Sequence, residues 1–370
     1  MTMLPKRTLM GPGPSDVYPE VLAAMSRPTI GHLDPAFVAF MDELNELLRY
    51  AFQTSNVVTL PISAPGSAGM ECCLVNLLEP GDKIVIASNG VFGGRMLEIA
   101  RRCGANPVAV EFEWGTPVDA NKVEEALKAN PDAIALAFVH SETSTGVRSD
   151  AKTLCQLGHD HDCLNIVDAV TTLGGIELCV DDWGIDAIYS GTQKCLSAPP
   201  GLSPVSFNEA AMAKVKSRKT PPQSWFLDLN LLTGYWGPGA KRAYHHTAPI
   251  NMLYALHEAL SILKREGNEN AWSRHAVHHR KLRAGIEAMG LEFYVQEEYR
   301  LPQLNAIRVP DGVDEAAVRR FLLNEFDLEI GAGLGTLAGK IWRIGLMGAS
   351  CTERHIDLCL DGLKAALANQ

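Results

Sequence analysis

No uninterrupted apolar stretch of the about 18 residues that a membrane-spanning helix requires occurs anywhere in this 370-residue chain. Positive charge is scarce in the same way. No Lys/Arg cluster exceeds Lys214-Val215-Lys216-Ser217-Arg218-Lys219, and the formal net charge is −10. Neither nucleic acid nor an anionic membrane is therefore expected as a partner. None of the 9 cysteines is spaced Cys-x-x-Cys, and Cys72, Cys73 and Cys359 sit in apolar, helix-like surroundings. They read as reduced, mostly buried thiols rather than a disulfide framework. The run Met1–Lys6 leads into no signal-peptide-like apolar segment, and Ala368-Asn369-Gln370 is no peroxisomal address. A cytoplasmic protein is expected. There is no G-x-x-x-x-G-K loop, and Gly331-Ala332-Gly333-Leu334-Gly335 misses the dinucleotide register because Thr336 follows. His159, His161 and Cys163 form an H-x-H-x-C run with no partner group, so no metal is expected.

What is present suits two hydrophobic cores. Asp34-Pro35 caps a helix whose apolar face is Phe37, Phe40, Met41, Leu44, Leu47 and Leu48. Short apolar runs then alternate with helical ones. The predicted strands are 57–60, 83–87, 107–111, 134–139, 164–167 and 187–189; the predicted helices include 70–78, 95–103 and 121–130. That alternation predicts a mostly parallel sheet flanked by helices. A long helix over 250–265 follows. The remainder (helix 275–289, strand 304–309, helix 314–326, strands 327–330 and 341–346, and a last helix with a Ser350-x-x-Glu353 capping box) predicts a compact α+β unit.

The chemistry-bearing residues gather where predicted strands end, which is where parallel sheets bind ligands. Lys194 follows Tyr189-Ser190-Gly191-Thr192-Gln193 on a short turn, and Asp168 closes the run Leu164–Val167. Alone, such a lysine reads first as a solvated surface charge and only second as a desolvated amine poised for Schiff-base chemistry. With a carboxylate at a neighbouring strand end, the pair matches what pyridoxal phosphate needs: an aldehyde-bearing lysine and an acid that keeps the pyridine nitrogen protonated. Pro61–Gly69 joins a strand to a helix through small residues and forms a candidate anion cup. Phe92, among residues too small to bury it, suits either a ring stacked on a flat ligand or an ordinary core position. Gly11-Pro12-Gly13-Pro14-Ser15 cannot be helical and reads as a surface turn or a ligand-approaching loop. Arg343, within the apolar run Ile341–Gly345, needs a carboxylate from a ligand or from the protein.

These residues, with GHLDPAF (31–37), LLRYAFQT (47–54), ETSTG (142–146), VDAVTTLGG (167–175), YSGTQKCLSAPPG (189–201), YHHTAP (244–249) and the closing GLG…WRIGLMG, closely resemble the fold-type I, class V aminotransferases, within them the alanine–glyoxylate (serine–pyruvate) group. The likeness runs nearly end to end. It implies an α/β fold: a large domain with a mostly parallel seven-stranded sheet (residues 21–255), a smaller α+β domain (256–370) and an N-terminal segment (1–20) reaching the active site. It further implies pyridoxal 5′-phosphate as cofactor, Lys194 as Schiff-base lysine, Asp168 beside the pyridine nitrogen and Phe92 stacked on the ring. Gly66, Ser67, Ala68 and Gln193 would take the phosphate, with Tyr244 and Thr247 reaching across a homodimer to the partner's phosphate. Ser144 would hold the ring-substituent side, and Arg343 would clamp the substrate carboxylate, with Gly11 closing over it. Ser67 stands where some relatives carry histidine.

The implied reaction is a ping-pong transfer of an amino group between a small amino acid (alanine or serine) and a 2-oxo acid, glyoxylate. Serine–pyruvate, serine–glyoxylate and ureidoglycine–glyoxylate transaminases share the scaffold. Cysteine desulfurases share the fold but usually carry histidine where this chain has Phe92. A nicotinamide-dependent dehydrogenase would account for the α/β pattern and the glycines, but would leave Lys194 and Asp168 idle.

Overall fold

Asp34 and Pro35 start the first long helix, as their order predicts. In the computed structural model, which describes residues 4–237 and 242–369, the Asp34 carboxylate accepts from the Ala36 amide at 2.8 Å and the helix runs Pro35–Phe52. Phe37, Met41, Leu44, Leu47 and Leu48 form its buried face, with Phe40 half-buried beside Phe37.

A seven-stranded sheet lies at the centre. Its strands are β1 (Val58–Ile62), β2 (Lys83–Ser88), β3 (Asn106–Glu111), β4 (Ala133–Val139), β5 (Leu164–Asp168), β6 (Ala187–Tyr189) and β7 (Ser203–Phe207). Their spatial order is β1-β7-β6-β5-β4-β2-β3. Every neighbouring pair is parallel except those of β7, which runs against both β1 and β6. The reversed strand was not predicted, because Ser203-Pro204-Val205-Ser206-Phe207 carries a proline and two serines that mask its strand character. With one strand reversed and flanked on both sides, β1, β2, β4, β5 and β6 all point their carboxyl ends at the same edge.

Two helices begin earlier than expected, and both at that edge. One runs Gly66–Leu77 rather than from Met70, the other Val91–Arg102 rather than from Arg95. The small residues there are not loop but first helical turns packed hard against the sheet. A Cβ on Gly93 would lie 2.7 Å from the Ser88 Cα, and one on Gly69 would overlap the Ser203 hydroxyl. Turn-like composition here reflects close packing.

The second unit is built on a three-stranded antiparallel sheet, β8 (Leu304–Arg308), β9 (Gly331–Ala332) and β10 (Ile341–Gly345), in the order β8-β10-β9. Its core holds Leu282, Ile286, Leu322, Trp342, Ile344, Ile356 and Leu363. The helix Asn268–Ala288 begins before the expected His275 and spans both cores. Leu256, Leu260, Leu263 and Ala271 pack in the larger core, and Leu282 and Ile286 in the smaller. We therefore place the change of core between Ala271 and Leu282 rather than at residue 256.

The last helix corrects an expectation. Thr352 caps Glu353–Ala368, its hydroxyl accepting from the His355 amide at 3.4 Å. Ser350 sits in the preceding 3₁₀ turn, where its hydroxyl accepts from the Asp16 amide at 2.9 Å and donates to the Leu9 carbonyl at 2.7 Å. Ser350 thus ties down the N-terminal segment and caps nothing. That segment pairs Thr8–Leu9 in parallel with Leu328–Glu329, sinks Met10 into the smaller core and then crosses to the larger unit. There the Ser15 hydroxyl donates to the Lys194 carbonyl at 2.8 Å. Residues 1–3 and Gln370, at the ends of the predicted terminal segments, lie outside the described residues.

Because Met10 is fully buried, Met10→Ala should lower the unfolding free energy by about 2–5 kcal/mol in chemical denaturation, as for other truncations in packed cores. A loss below about 1 kcal/mol would mean the segment merely lies on the surface.

Candidate active site

Strand register brings the central acid to its partner. β5 and β6 pair Asp168 with Tyr189, so the two side chains share a face, and the Tyr189 hydroxyl donates to Asp168 Oδ2 at 2.7 Å. Oδ1 accepts from the Val170 amide at 2.8 Å, and the Asp168 carbonyl accepts from the His140 amide at 3.0 Å. The carboxyl is 2 % exposed. Burial pushes its pKa up from 3.8 to about 7, against the smaller opposing pull of the two hydrogen bonds and of Lys194.

Lys194 follows β6 at the same edge and is 8 % exposed. Burial pulls its pKa down from 10.5 to about 8, helped by the nearby charge of Arg343. Its Nζ donates to the Pro12 carbonyl, and among the described residues it makes no ion pair. The close approach of the N-terminal segment requires a glycine at 13, where φ is +99° and a Cβ would lie 2.5 Å from Lys194 Nζ. Of the two roles open to GPGPS, the structure supports close approach, and the group approached is the lysine.

Phe92 occupies the first turn of the Val91–Arg102 helix and is half-buried. That helix starts at Gly90 without a cap of its own. The cap comes from Glu142, just past β4, whose Oε2 accepts from the Phe92 and Gly93 amides at 3.2 and 3.4 Å. Glu142 Oε1 accepts from the Ser144 amide at 3.0 Å and hydroxyl at 2.6 Å. Ser144 Oγ also accepts from the Val91 amide at 3.0 Å. The hydroxyl predicted to face a ligand therefore spends its proton on Glu142. Burial raises the Glu142 pKa, so a second acid joins Asp168 in the interior.

Gly66, Ser67 and Ala68 are the first turn of their helix. Pro65, at the N-cap, supplies no side-chain acceptor, which leaves first-turn amides open to an anion. Ala68 is the exception, since its amide donates to the Pro65 carbonyl at 2.7 Å. Ser67 Oγ accepts from Arg95 Nη1 at 2.9 Å. The Gln193 Oε1 is buried without a partner. Arg343 on β10 is 6 % exposed. Its Nε donates to the Ala332 carbonyl at 2.7 Å and Nη1 to the Thr143 carbonyl at 3.0 Å. Neither acceptor is a carboxylate, so the alternative of a protein ion pair does not form among the described residues. Burial lowers the Arg343 pKa to about 10, with the Glu142 charge opposing. Gly11 is buried against Gly331 and Gly345.

Tyr244, 62 % exposed, and Thr247, also exposed, hydrogen-bond to none of these groups among the described residues. The loop between them is held by His246, whose Nε2 lies 2.7 Å from Ser63 Oγ. Of the H-x-H-x-C run, His159 Nε2 pairs with Asp186 at 2.9 Å and Cys163 Sγ donates to the Ala133 carbonyl at 3.1 Å.

Sequence reasoning missed three contributors: Tyr189, Glu142 and Arg95. A carboxylate soon after a wholly apolar strand, separated from it by His140 and Ser141, was the available signal for Glu142, and strand pairing would have found Tyr189.

Comparison with known proteins agrees with this geometry. A family model described as Aminotransferase class-V matches residues 12–353. The alanine–glyoxylate aminotransferase of Rattus norvegicus is 41 % identical over 366 residues, covering 98 % of this chain and 88 % of that protein. The (S)-ureidoglycine–glyoxylate transaminase of Bacillus subtilis (strain 168) is 41 % identical over 382 residues, covering 98 % and 91 %. Among solved structures, an alanine–glyoxylate aminotransferase from Nostoc sp. superposes with a TM-score of 0.96 at 45 % identity, covering 99 % of this chain and 96 % of that one. The Bacillus subtilis ureidoglycine–glyoxylate aminotransferase gives 0.97 at 42 %, covering 100 % and 94 %.

The raised Asp168 pKa has a sign that can be measured. Between 3.8 and about 7 the folded chain keeps a proton that the unfolded chain has lost, so rising pH works against folding through this group. Asp168→Asn removes that dependence. In ligand-free protein, the denaturant midpoint of the variant relative to the parent should shift in the variant's favour as pH rises from about 4 to about 8. A difference that stays flat would mean that Asp168 titrates normally.

Proposed function

The chain belongs to the class-V aminotransferase family, and from that premise we propose that it moves an amino group from alanine or serine to glyoxylate, in ping-pong fashion, with pyridoxal 5′-phosphate. The observation that carries this reading is Lys194: a buried amine with no acidic partner among the described residues, one strand away from a buried aspartate that closes β5.

The donor set fits the cofactor. The uncapped first turn at Gly66 and Ser67 and the Ser67 hydroxyl suit its phosphate, and Gln193 can join them only through its Nε2 donor. Asp168 suits a protonated pyridine nitrogen, because a cation there offsets the burial that raises the carboxyl's pKa. Phe92 supplies a flat covering ring. When bound, pyridoxal phosphate supplies an aldehyde carbon for the amino group and a ring that accommodates the electron pair left at Cα.

The protein's own residues do the rest. Lys194 Nζ, more readily neutral than an ordinary lysine, would take the Cα proton of the amino acid and hold it for delivery away from that carbon. Tyr189 holds Asp168 in place through its hydroxyl. Arg343, fixed by two backbone carbonyls and free of acidic partners, takes the substrate carboxylate with its remaining N–H groups. The Gly11–Pro14 segment closes the site on the lysine side and excludes water.

The exposure of Tyr244 and Thr247 supports a homodimer in which each serves the partner's phosphate. The nine free cysteines support a reducing, cytoplasmic location. Among the described residues no helix is long and apolar enough to cross a membrane. A second reading, ureidoglycine as donor, is favoured by the equally similar ureidoglycine–glyoxylate relatives. Serine–pyruvate and serine–glyoxylate exchange fit the same residues. Turnover of alanine, serine and ureidoglycine against glyoxylate and pyruvate separates these readings.

Lys194→Ala should still bind the cofactor, seen in its visible absorbance, yet lose turnover; near-parental turnover would end the assignment. Arg343→Ala should raise KM for amino acid and oxo acid alike by roughly tenfold to a hundredfold, the worth of lost charge-assisted hydrogen bonds. If neither KM moved, Arg343 would be no part of the site.

A further inference from the structure

Arg95 lies one turn into the Val91–Arg102 helix and bridges two parts of the site that the chain keeps far apart. Its Nη1 donates to Ser67 Oγ at 2.9 Å. Its guanidinium carbon lies 4.9 Å from the centre of the Phe92 ring, a cation–π distance. It is half-buried, and among the described residues it forms no ion pair. A guanidinium removed in part from water normally finds a carboxylate. This one is aimed at a hydroxyl on the open first turn of the Gly66–Leu77 helix, whose N-cap Pro65 offers its amides no side chain.

The chemistry of that hydrogen bond has a consequence. Guanidinium has donors and no acceptor, so Ser67 Oγ must be the acceptor. Ser67 is exposed, so its O–H proton, which no protein group among the described residues accepts, goes to solvent or to a bound anion. Arg95 thus fixes the orientation of a solvent-facing donor. It also places a full positive charge beside amides that contribute only partial charges.

We propose that Arg95 is a positioning residue for a phosphate monoester: it holds Ser67 Oγ from behind, turns the Ser67 O–H toward the phosphate and supplies the cationic field there, its contact with the Phe92 ring serving only to hold the guanidinium in place. This rests on the reading of the site as a pyridoxal phosphate site. Ser67, where relatives carry histidine, thereby gains a defined role in this chain.

The test uses the full-length protein, stripped and reconstituted, with two probes that differ only in the phosphate: pyridoxal 5′-phosphate and pyridoxal. Binding is followed by absorbance, and cofactor loss from the holoenzyme by dilution into a trapping solution. Arg95→Gln should weaken pyridoxal phosphate binding roughly tenfold or more, the scale of a charge-assisted contact, and speed its loss, while pyridoxal binding stays within about twofold. Arg95→Lys should fall between, keeping charge without the fork. Ser67→Ala should weaken pyridoxal phosphate binding as well, and the double variant should lose less than the sum of the two single losses. Equal weakening of both probes would assign Arg95 to the ring or the fold and overturn the proposal, as would unchanged pyridoxal phosphate binding in Arg95→Gln. Full additivity with Ser67→Ala would also overturn it. A parent chain that binds neither probe would overturn the functional reading, and this proposal with it.

Discussion

An amine and a carboxyl buried at the ends of adjacent strands, each without an ion-pair partner among the described residues, are the constraint to which the surrounding structure answers. Burial disfavours the charged form of both groups, drawing Lys194 down to about 8 and Asp168 up to about 7. A direct salt bridge would relieve both shifts and quench the reactivity of both. The chain instead gives each a neutral partner: the Tyr189 hydroxyl and Val170 amide for Asp168, the Pro12 carbonyl for Lys194. These partners satisfy hydrogen-bonding capacity without supplying compensating charge. The pair therefore stays responsive to a ligand that brings its own charges.

Glu142 applies the same logic to a different purpose. Its four acceptor contacts fix the first turn of the Phe92 helix and the Ser144 loop together. Gly90 is the residue that allows this, since a Cβ there would run into the Glu142 carboxyl. The neighbouring Thr143 carbonyl holds Arg343. One short loop after β4 therefore positions both Phe92 and Arg343. A substituent at Gly90 would disturb both at once, although it touches neither.

Much of this was legible in the sequence. Apolar runs placed six of the seven central strands, and the residues at their ends put Lys194, Asp168 and Phe92 at one edge of the sheet; Arg343 stood out instead as a charge inside an apolar strand of the smaller unit. The misses share a physical cause. Gly66–Ala68 and Val91–Gly94 read as turns because small residues serve turns and tight helix–sheet contacts alike, and composition cannot separate the two. The Ser350 capping box had the right spacing, but tertiary bonds to Leu9 and Asp16 claimed the hydroxyl. Tyr189 and Arg95 act through neighbours distant in sequence, Asp168 and Ser67, so their roles exist only once the strands pair and the helices pack.

The N-terminal segment shows why the site needs both cores. Its Met10 is fixed in the smaller core, and the Gly345 amide donates to the Met10 carbonyl at 2.7 Å. Only a few residues later, Pro12 meets the lysine of the larger unit and Ser15 bonds to that lysine's carbonyl. Arg343 belongs to the same smaller sheet, on the strand that carries Gly345. Arg343 and the segment that covers Lys194 are thus attached to one core, while Lys194, Asp168 and the Gly66–Ala68 turn belong to the other. Any relative shift of the two cores must move Arg343 and that segment together. The distance between Arg343 and Lys194 therefore depends on how the two cores pack, and the helix Asn268–Ala288, rooted in both, links them.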